Sequence, residues 1–283
     1  MTKIPWTDES WNPVTGCTKI AAGCKNCYAE SMAKRFWGKR KFTDVQCHED
    51  RLDIPLHWRK PRKIFVCSMS DLFHEDVPFE IIDQIHAVIA LCPQHTFQIL
   101  TKRIERATEY YMTRTAIDDS CRVDRMPQWY NVLTGWLDEG HKGYLGRNWD
   151  ECEKAAEQTD FNNELPPNLW LGTSISTQAD ADKNIPILLK IPAAVRFLSL
   201  EPMLESICLS NYKIDQVIIG CESGPKRRPC KLEWIEDAVE QCVAASVPVF
   251  VKQLEIGGKV SKNPKEWPAW VRRQEYPSIV NNK

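Results

Sequence analysis

Apolar stretches of strand length recur along this chain with amphipathic helical stretches between them, and that alternation limits the fold more than any other feature. KIFVCSMSD (63–71), TFQILTKR (96–103), LWLGTSIS (169–176), VRFLSLEPM (195–203), QVIIGCESG (216–224) and VPVFVKQL (247–254) read as buried strands ending in small or polar residues. Between the first two, Ile81, Ile82, Ile85, Val88 and Ile89 mark one face of a helix that opens near Pro78 and is closed by Pro93. IERATEYYM reads as the next helix, another runs to about Lys190, and a last one from about Leu232 to Ala245 carries Trp234, Ile235, Val239 and Cys242 at buried-face spacing. Strands that are apolar throughout, rather than alternating, belong to parallel sheets covered by helices. The pattern predicts an α/β fold, a full or partial (β/α) barrel of about six or seven parallel strands in one domain over 1–283. An open doubly wound sheet is the alternative. The segment at about 114–167 breaks the rhythm with charge, Trp, Gly and Asn, and reads as an insertion such as a lid or a binding arm.

Cysteine usage points to the chemistry. Twelve cysteines in 283 residues are too dilute for a disulfide scaffold, so clustered thiols read as metal ligands and scattered ones as small core residues. Cys67, Cys92, Cys208, Cys221 and Cys242 stand in apolar segments and are expected to be buried. Cys17, Cys24 and Cys27 are different: they form C-x6-C-x2-C, and Gly16 and Gly23 each directly precede a cysteine. Two cysteines two residues apart can reach one metal centre, and a preceding glycine lets the backbone bend around it. No fourth ligand stands nearby. Three thiolates on an iron–sulfur cluster would leave one iron open, whereas structural zinc needs a distant fourth ligand. Both readings stand on spacing alone, as does that of three thiols with no shared role. The following YAESMAKRFWGKR has good helix formers and a Glu30–Lys34 pair, so a helix is expected to start at this loop and turn its positive end to the thiolates.

In a β/α barrel the chemistry lies at the carboxyl ends of the strands. Here those ends read Ser68-Met69-Ser70-Asp71, Thr101-Lys102-Arg103, Thr173-Ser174, Glu201, Glu222-Ser223 and Lys252-Gln253. Each follows an apolar run directly, so the polar groups are expected to emerge into one mouth beside the cysteines. Hydroxyls, carboxylates and lysines converging there suit a ligand with amino, carboxylate and ribose groups.

The blocks WNPVTGC-x6-C-x2-CYAE, SMSDLFHEDVP, LTKR, LWLGTS, LSLEPM, CESGP and VFVKQ, from about residue 6 to 256, resemble a phage-associated three-cysteine family of unknown function. More broadly the chain resembles radical S-adenosylmethionine enzymes. That resemblance implies a [4Fe–4S] cluster held by Cys17, Cys24 and Cys27, with S-adenosylmethionine on the open iron. It also implies an external electron donor such as a flavodoxin or ferredoxin. Ser68, Ser70 and Asp71 match the positions that contact the methionyl end, and Ser174 and Glu201 those near the ribose. Thr101, Lys102, Thr173, Glu222 and Lys252 complete the expected cofactor-binding set at the strand ends. The chain departs from the superfamily in having six residues rather than three in the first spacing, and in placing Tyr28 after the third cysteine instead of an aromatic before it.

With 37 basic against 38 acidic residues, a nucleic-acid surface would have to be a local patch. Basic residues concentrate in Lys34–Lys41, Arg59–Lys63 and Lys226–Lys231, with Phe36, Trp37, Phe42 and Trp58 interleaved. Positive charge with aromatics suits phosphates and bases, though a solvated surface reads equally well from the residues. It is the phage-associated resemblance that implies a nucleotide or nucleic-acid base as substrate. The alternative is a non-catalytic zinc- or iron–sulfur-binding module for nucleic acid or a protein partner. No apolar run is long enough to span a bilayer and the polar start is not a secretory signal, so a cytoplasmic location is expected.

Overall fold

The computed structural model describes residues 4–278 apart from 211, 225 and most of 115–164. The expected insertion at about 114–167 therefore lies almost wholly outside the described residues. In chain order the elements are β1 (Glu9–Trp11), β2 (Val14–Thr15), α1 (Tyr28–Phe36), β3 (Gln46–Cys47), β4 (Lys63–Val66), α2 (Phe79–Ala90) and β5 (Thr96–Thr101). They continue as α3 (Ile104–Arg114), β6 (Leu169–Ser174), α4 (Gln178–Leu188), β7 (Val195–Leu200), β8 (Gln216–Gly220), α5 (Leu232–Ala244), β9 (Val249–Ile256) and β10 (Lys259–Ser261).

The main sheet runs β1-β4-β5-β6-β7-β8-β9-β10, parallel from β1 to β9, with only β10 antiparallel. Among the described residues the strand order never reverses, so they contain no switch point of the kind a doubly wound sheet has. Right-handed crossovers stepping one way put the helices on one face and curl the sheet toward a barrel.

The two faces confirm this. Ile64, Val66, Phe97, Ile99, Leu171, Leu198, Val217, Ile219 and Val251 share one core with Ile82, Ile85, Ala181, Ile185, Ile235 and Val239 of the helices. The alternate residues Phe65, Trp170, Val195, Phe197, Ile218 and Phe250 form a separate cluster that contains no helix residue. That cluster is the barrel interior. Trp6 plugs it, with its ring 4.7 Å from Phe65 and 6.3 Å from Phe197, and Tyr276 packs on Phe250 at 5.4 Å. Each buried aromatic contributes on the order of 2–3 kcal/mol. Gly172 makes room for the Phe197 ring, since a Cβ there would lie 2.6 Å from it.

Three local departures from expectation have clear causes. The first long strand stops at Val66 because Cys67 adopts φ 60°, and Cys67–Met69 instead form a turn that closes on Ser70, which bridges to Gly16. Cys208 is exposed, not buried. The β7–β8 link has no helix, and buried Ile207 and Leu209 on either side turn Cys208 outward beside Ser210. The sheet also gains β10, through a tight turn in which Gly257 and Gly258 both have positive φ, the backbone a two-residue hairpin turn requires.

A buried histidine on α2 has a consequence for acid stability. His86 donates from Nδ1 to the Ile82 carbonyl (2.8 Å), so Nε2 accepts from the Tyr111 hydroxyl (3.0 Å) and the ring is neutral. Burial pushes its pKa down to about 4 from 6.5. The folded state thus favours the neutral ring, and this stability is present above pH 6.5 and lost as pH falls toward 4, on the order of 3 kcal/mol. His86→Gln is expected to lower stability at neutral pH and flatten the fall between pH 6.5 and 4, measured as the urea midpoint at each pH.

Candidate active site

Moving along the barrel interior toward the carboxyl ends of the strands, the lining changes from aromatic to polar. On β6, Trp170 gives way to Gly172 and Ser174, and on β7, Phe197 gives way to Ser199 and then Glu201. On β8, Ile218 gives way to Gly220, and on β9, Phe250 to Lys252. These side chains join into one row. Lys102 Nζ donates to Ser174 Oγ at 2.7 Å, Ser174 Oγ donates to the Glu201 carbonyl at 3.1 Å, and Lys252 Nζ pairs with Glu201 Oε1 at 2.7 Å. Gly220 is required opposite Glu201, because a Cβ would stand 2.8 Å from Oε1.

The cysteine loop lies across these strand ends. It begins at Gly16, which has φ 98° and whose Cβ would meet the Asp44 carbonyl at 2.5 Å, so only glycine fits. Gly16 bridges to Ser70, its N–H donates to the Met69 carbonyl at 3.0 Å, and Ser70 Oγ donates back to the Gly16 carbonyl at 2.6 Å. Further on, Gly23 packs against Ser176, and Arg228 Nη1 donates to the Ala22 carbonyl at 2.9 Å. Asn26 Nδ2 donates to Glu222 Oε2 at 3.0 Å. Tyr28 then returns the chain to β4, its hydroxyl donating to the Ser68 carbonyl at 2.5 Å. The loop is thereby fastened beyond β4, β6 and β8, and α1 starts directly after Cys27.

Cys17, Cys24 and Cys27 are all free and half-buried. Among the described residues no three His, Cys, Asp or Glu side chains converge closely enough to hold a single metal ion. Burial pushes the Cys17 thiol up to about 11, and the Asp71 charge adds to this while Arg103 opposes it. Arg103 is the hub at this end of the loop. Its Nη1 lies 3.5 Å from Cys17 Sγ, Nη2 donates to Thr18 Oγ1 at 2.7 Å, and Nε donates to Glu75 Oε2 at 2.9 Å. His74, buried beside it, bonds Thr18 Oγ1 at 2.8 Å and is held below the ordinary histidine range by burial and then by the Arg103 charge. At the other end, burial works to raise the Glu222 carboxyl, but Arg228 and Asn26 outweigh it and leave it below the usual range.

The expected site residues fall into two groups. Lys102, Ser174, Glu201 and Lys252 line the interior row. Asp71 is buried and occupied: it accepts from Phe73 N at 3.1 Å, Thr101 Oγ1 at 2.7 Å and Lys102 N at 2.9 Å. Thr173 is fully buried and donates to the Thr101 carbonyl at 3.0 Å. Ser68 Oγ donates to Asn12 Oδ1 at 3.2 Å, Ser70 holds Gly16, and Glu222 holds Asn26 and Arg228. Sequence reasoning assigned no role to Ser176 and counted Arg228 only within the basic stretch Lys226–Lys231. Neither follows a strand end directly, and their part depends on where a remote loop lands.

Comparison with protein-family models places residues 1–271 in the family described as "Protein of unknown function (DUF5131)". The chain belongs to this family. No curated protein matches it. Among solved structures, this DUF5131 chain is similar to a spore photoproduct lyase complexed with dinucleoside spore photoproduct, at 11% identity and TM-score 0.38, over 73% of this chain and 54% of that one. The DUF5131 chain thus spans about half the length of that structure.

Gly23 provides a test of the loop's seat. A Cβ at this position would lie 2.3 Å from Ser176 Oγ, while the next nearest atoms stand at 3.4 Å. Gly23→Ala is expected to destabilise by about 1–3 kcal/mol, and Ser176→Ala in the same chain to recover most of that loss, read from urea unfolding.

Proposed function

We propose that this chain is a radical S-adenosylmethionine enzyme acting on a nucleotide or nucleic-acid base, with Cys17, Cys24 and Cys27 as ligands of a [4Fe–4S] cluster. The observation that carries the reading is the placement of a loop bearing three thiols across the carboxyl ends of parallel strands wound in one direction. The donor set fits. Three thiols, none in a disulfide, stand on one loop, which is the donor chemistry an iron–sulfur cluster with one open iron requires. When bound, the cluster and S-adenosylmethionine supply reductive cleavage of the sulfonium to a 5′-deoxyadenosyl radical that takes hydrogen from the substrate.

The chain's own residues do the positioning. Lys102 and Lys252 bring positive charge to a carboxylate, while Glu201 and Ser174 offer acceptors to an amino group or ribose hydroxyls. Their present bonds to one another keep the row ordered and would exchange for bonds to the ligand. Ser68, Ser70, Asp71, Thr101, Thr173 and Glu222 contribute indirectly, by holding the loop and the strand ends in register. Arg103 places a fixed positive charge beside Cys17 and so favours its thiolate when a metal displaces the proton. The electron would come from a flavodoxin or ferredoxin. Among the described residues no helix is long and apolar enough to cross a membrane.

Anaerobic reconstitution, iron analysis and a 5′-deoxyadenosine assay test this directly. Cys17→Ala, Cys24→Ala and Cys27→Ala are each expected to lose cluster assembly and cofactor cleavage while the fold persists. Cys92→Ala and Cys242→Ala should keep full iron content. Unimpaired cleavage by Cys24→Ala would overturn the proposal.

A further inference from the structure

Helix α1 leaves the cysteine loop with an apolar stripe turned to solvent. Ala29 and Ala33 form its buried side, whereas Tyr28, Met32 and Phe36, spaced one turn apart, are 44%, 44% and 63% exposed. Residues 25–41 carry six basic side chains against one acidic, in a chain of net charge −1. The one acid, Glu30, is already engaged by Lys19 and Lys34, both at 2.8 Å. Among the described residues no ion pair involves Lys25, Arg35, Lys39 or Lys41, and the Arg35 guanidinium sits 5.2 Å from the Phe36 ring.

We propose that this face of α1 is a docking surface for single-stranded nucleic acid, which runs along the helix and delivers a base to the strand ends. The second half of that statement rests on the function proposed above; the binding surface does not. Charge complementarity selects the partner, because excess positive charge around exposed rings suits phosphates and bases together. Spacing selects the single strand. Positions four apart on a helix lie about 6 Å apart along the axis, well beyond the ~3.4 Å step of a stacked strand. Each side chain therefore suits a base splayed from its neighbours. Direction follows from Tyr28, whose hydroxyl is bonded to the Ser68 carbonyl at the end of β4, so the stripe starts at the site and leads outward to Phe36. A bilayer would instead require the three side chains to enter together, which the tethered Tyr28 opposes.

The test is fluorescence anisotropy with the metal-free full chain and a labelled mixed-sequence DNA strand of about 12 nucleotides, within the range of single-strand sites. Phe36→Ala is expected to weaken binding about 5- to 100-fold, with the fold checked by circular dichroism. Changing Lys39 and Lys41 together to Gln should reduce the slope of log K against log salt by about 0.7 for each charge. Trp270→Ala, at a similarly exposed aromatic (58%) bonded to Glu236 of α5, should change nothing. The proposal is overturned by absent strand binding, by Phe36→Ala binding as the parent does, by duplex binding as tightly, or by Phe36-dependent binding to anionic vesicles alone. Because the titration uses metal-free chain, strand binding is read independently of the cluster. Binding retained in a protein that fails to cleave S-adenosylmethionine after reconstitution would sink the function proposed above and leave this surface standing.

Discussion

A parallel sheet wound in one direction leaves its second face without helices to bury it, and this chain fills that face from within. Phe65, Trp170, Phe197, Ile218 and Phe250 close against one another, and Trp6 and Tyr276 pack on them from segments near either end of the described chain. Aromatics dominate the amino-terminal part of the interior, with buried Gln98 and Gln216 in register beside them, and Lys102, Ser174, Glu201 and Lys252 follow toward the carboxyl ends. The separation of packing from chemistry is thus built into the alternation along each strand. Gly172 and Gly220 each yield space to a neighbour on or just past β7, one to the Phe197 ring and one to the Glu201 carboxylate.

Over the polar end lies a loop too short to have a core of its own. Its shape comes from anchors: Gly16 in a conformation other residues resist, Ser70 and Tyr28 tying it to β4, Gly23 against Ser176, and Arg228 and Asn26 around Glu222. Two buried or half-buried ion networks, centred on Arg103 and on Glu222, flank the three thiols. Neither is a free ligand-binding group at rest. Both are better understood as the means by which flexible backbone is held in one arrangement.

Much of the fold was legible because burial on both sides makes parallel strands read as unbroken apolar runs, as in LWLGTS and QVIIG. The Gly257-Gly258 pair was not read as a turn, so the antiparallel edge strand it creates was not anticipated. Cys208 misled because its segment is apolar overall, and only the inward turn of Ile207 and Leu209 sends the thiol out. The strand ends predicted one polar mouth, and four of their residues, Lys102, Ser174, Glu201 and Lys252, do join in one row. Which of the others would hold the backbone instead was not legible. Asp71 and Glu201 look alike in sequence. One is saturated by Phe73, Thr101 and Lys102, while the other meets Lys252 on the interior face. That difference depends on which side of a strand each residue leaves, and a change of one position at Cys67 alters it.

The anchors on the cysteine loop also impose an order in time. Asn26 binds Glu222, 196 positions later, and Arg228 reaches the Ala22 carbonyl across 206. During synthesis the three thiols therefore emerge almost at once, yet the far wall of their cradle does not exist until β8 has left the ribosome. Until then the sulfurs are unprotected nucleophiles on a nascent chain. The cradle around the thiols is thus completed late in synthesis, long after the thiols themselves have emerged.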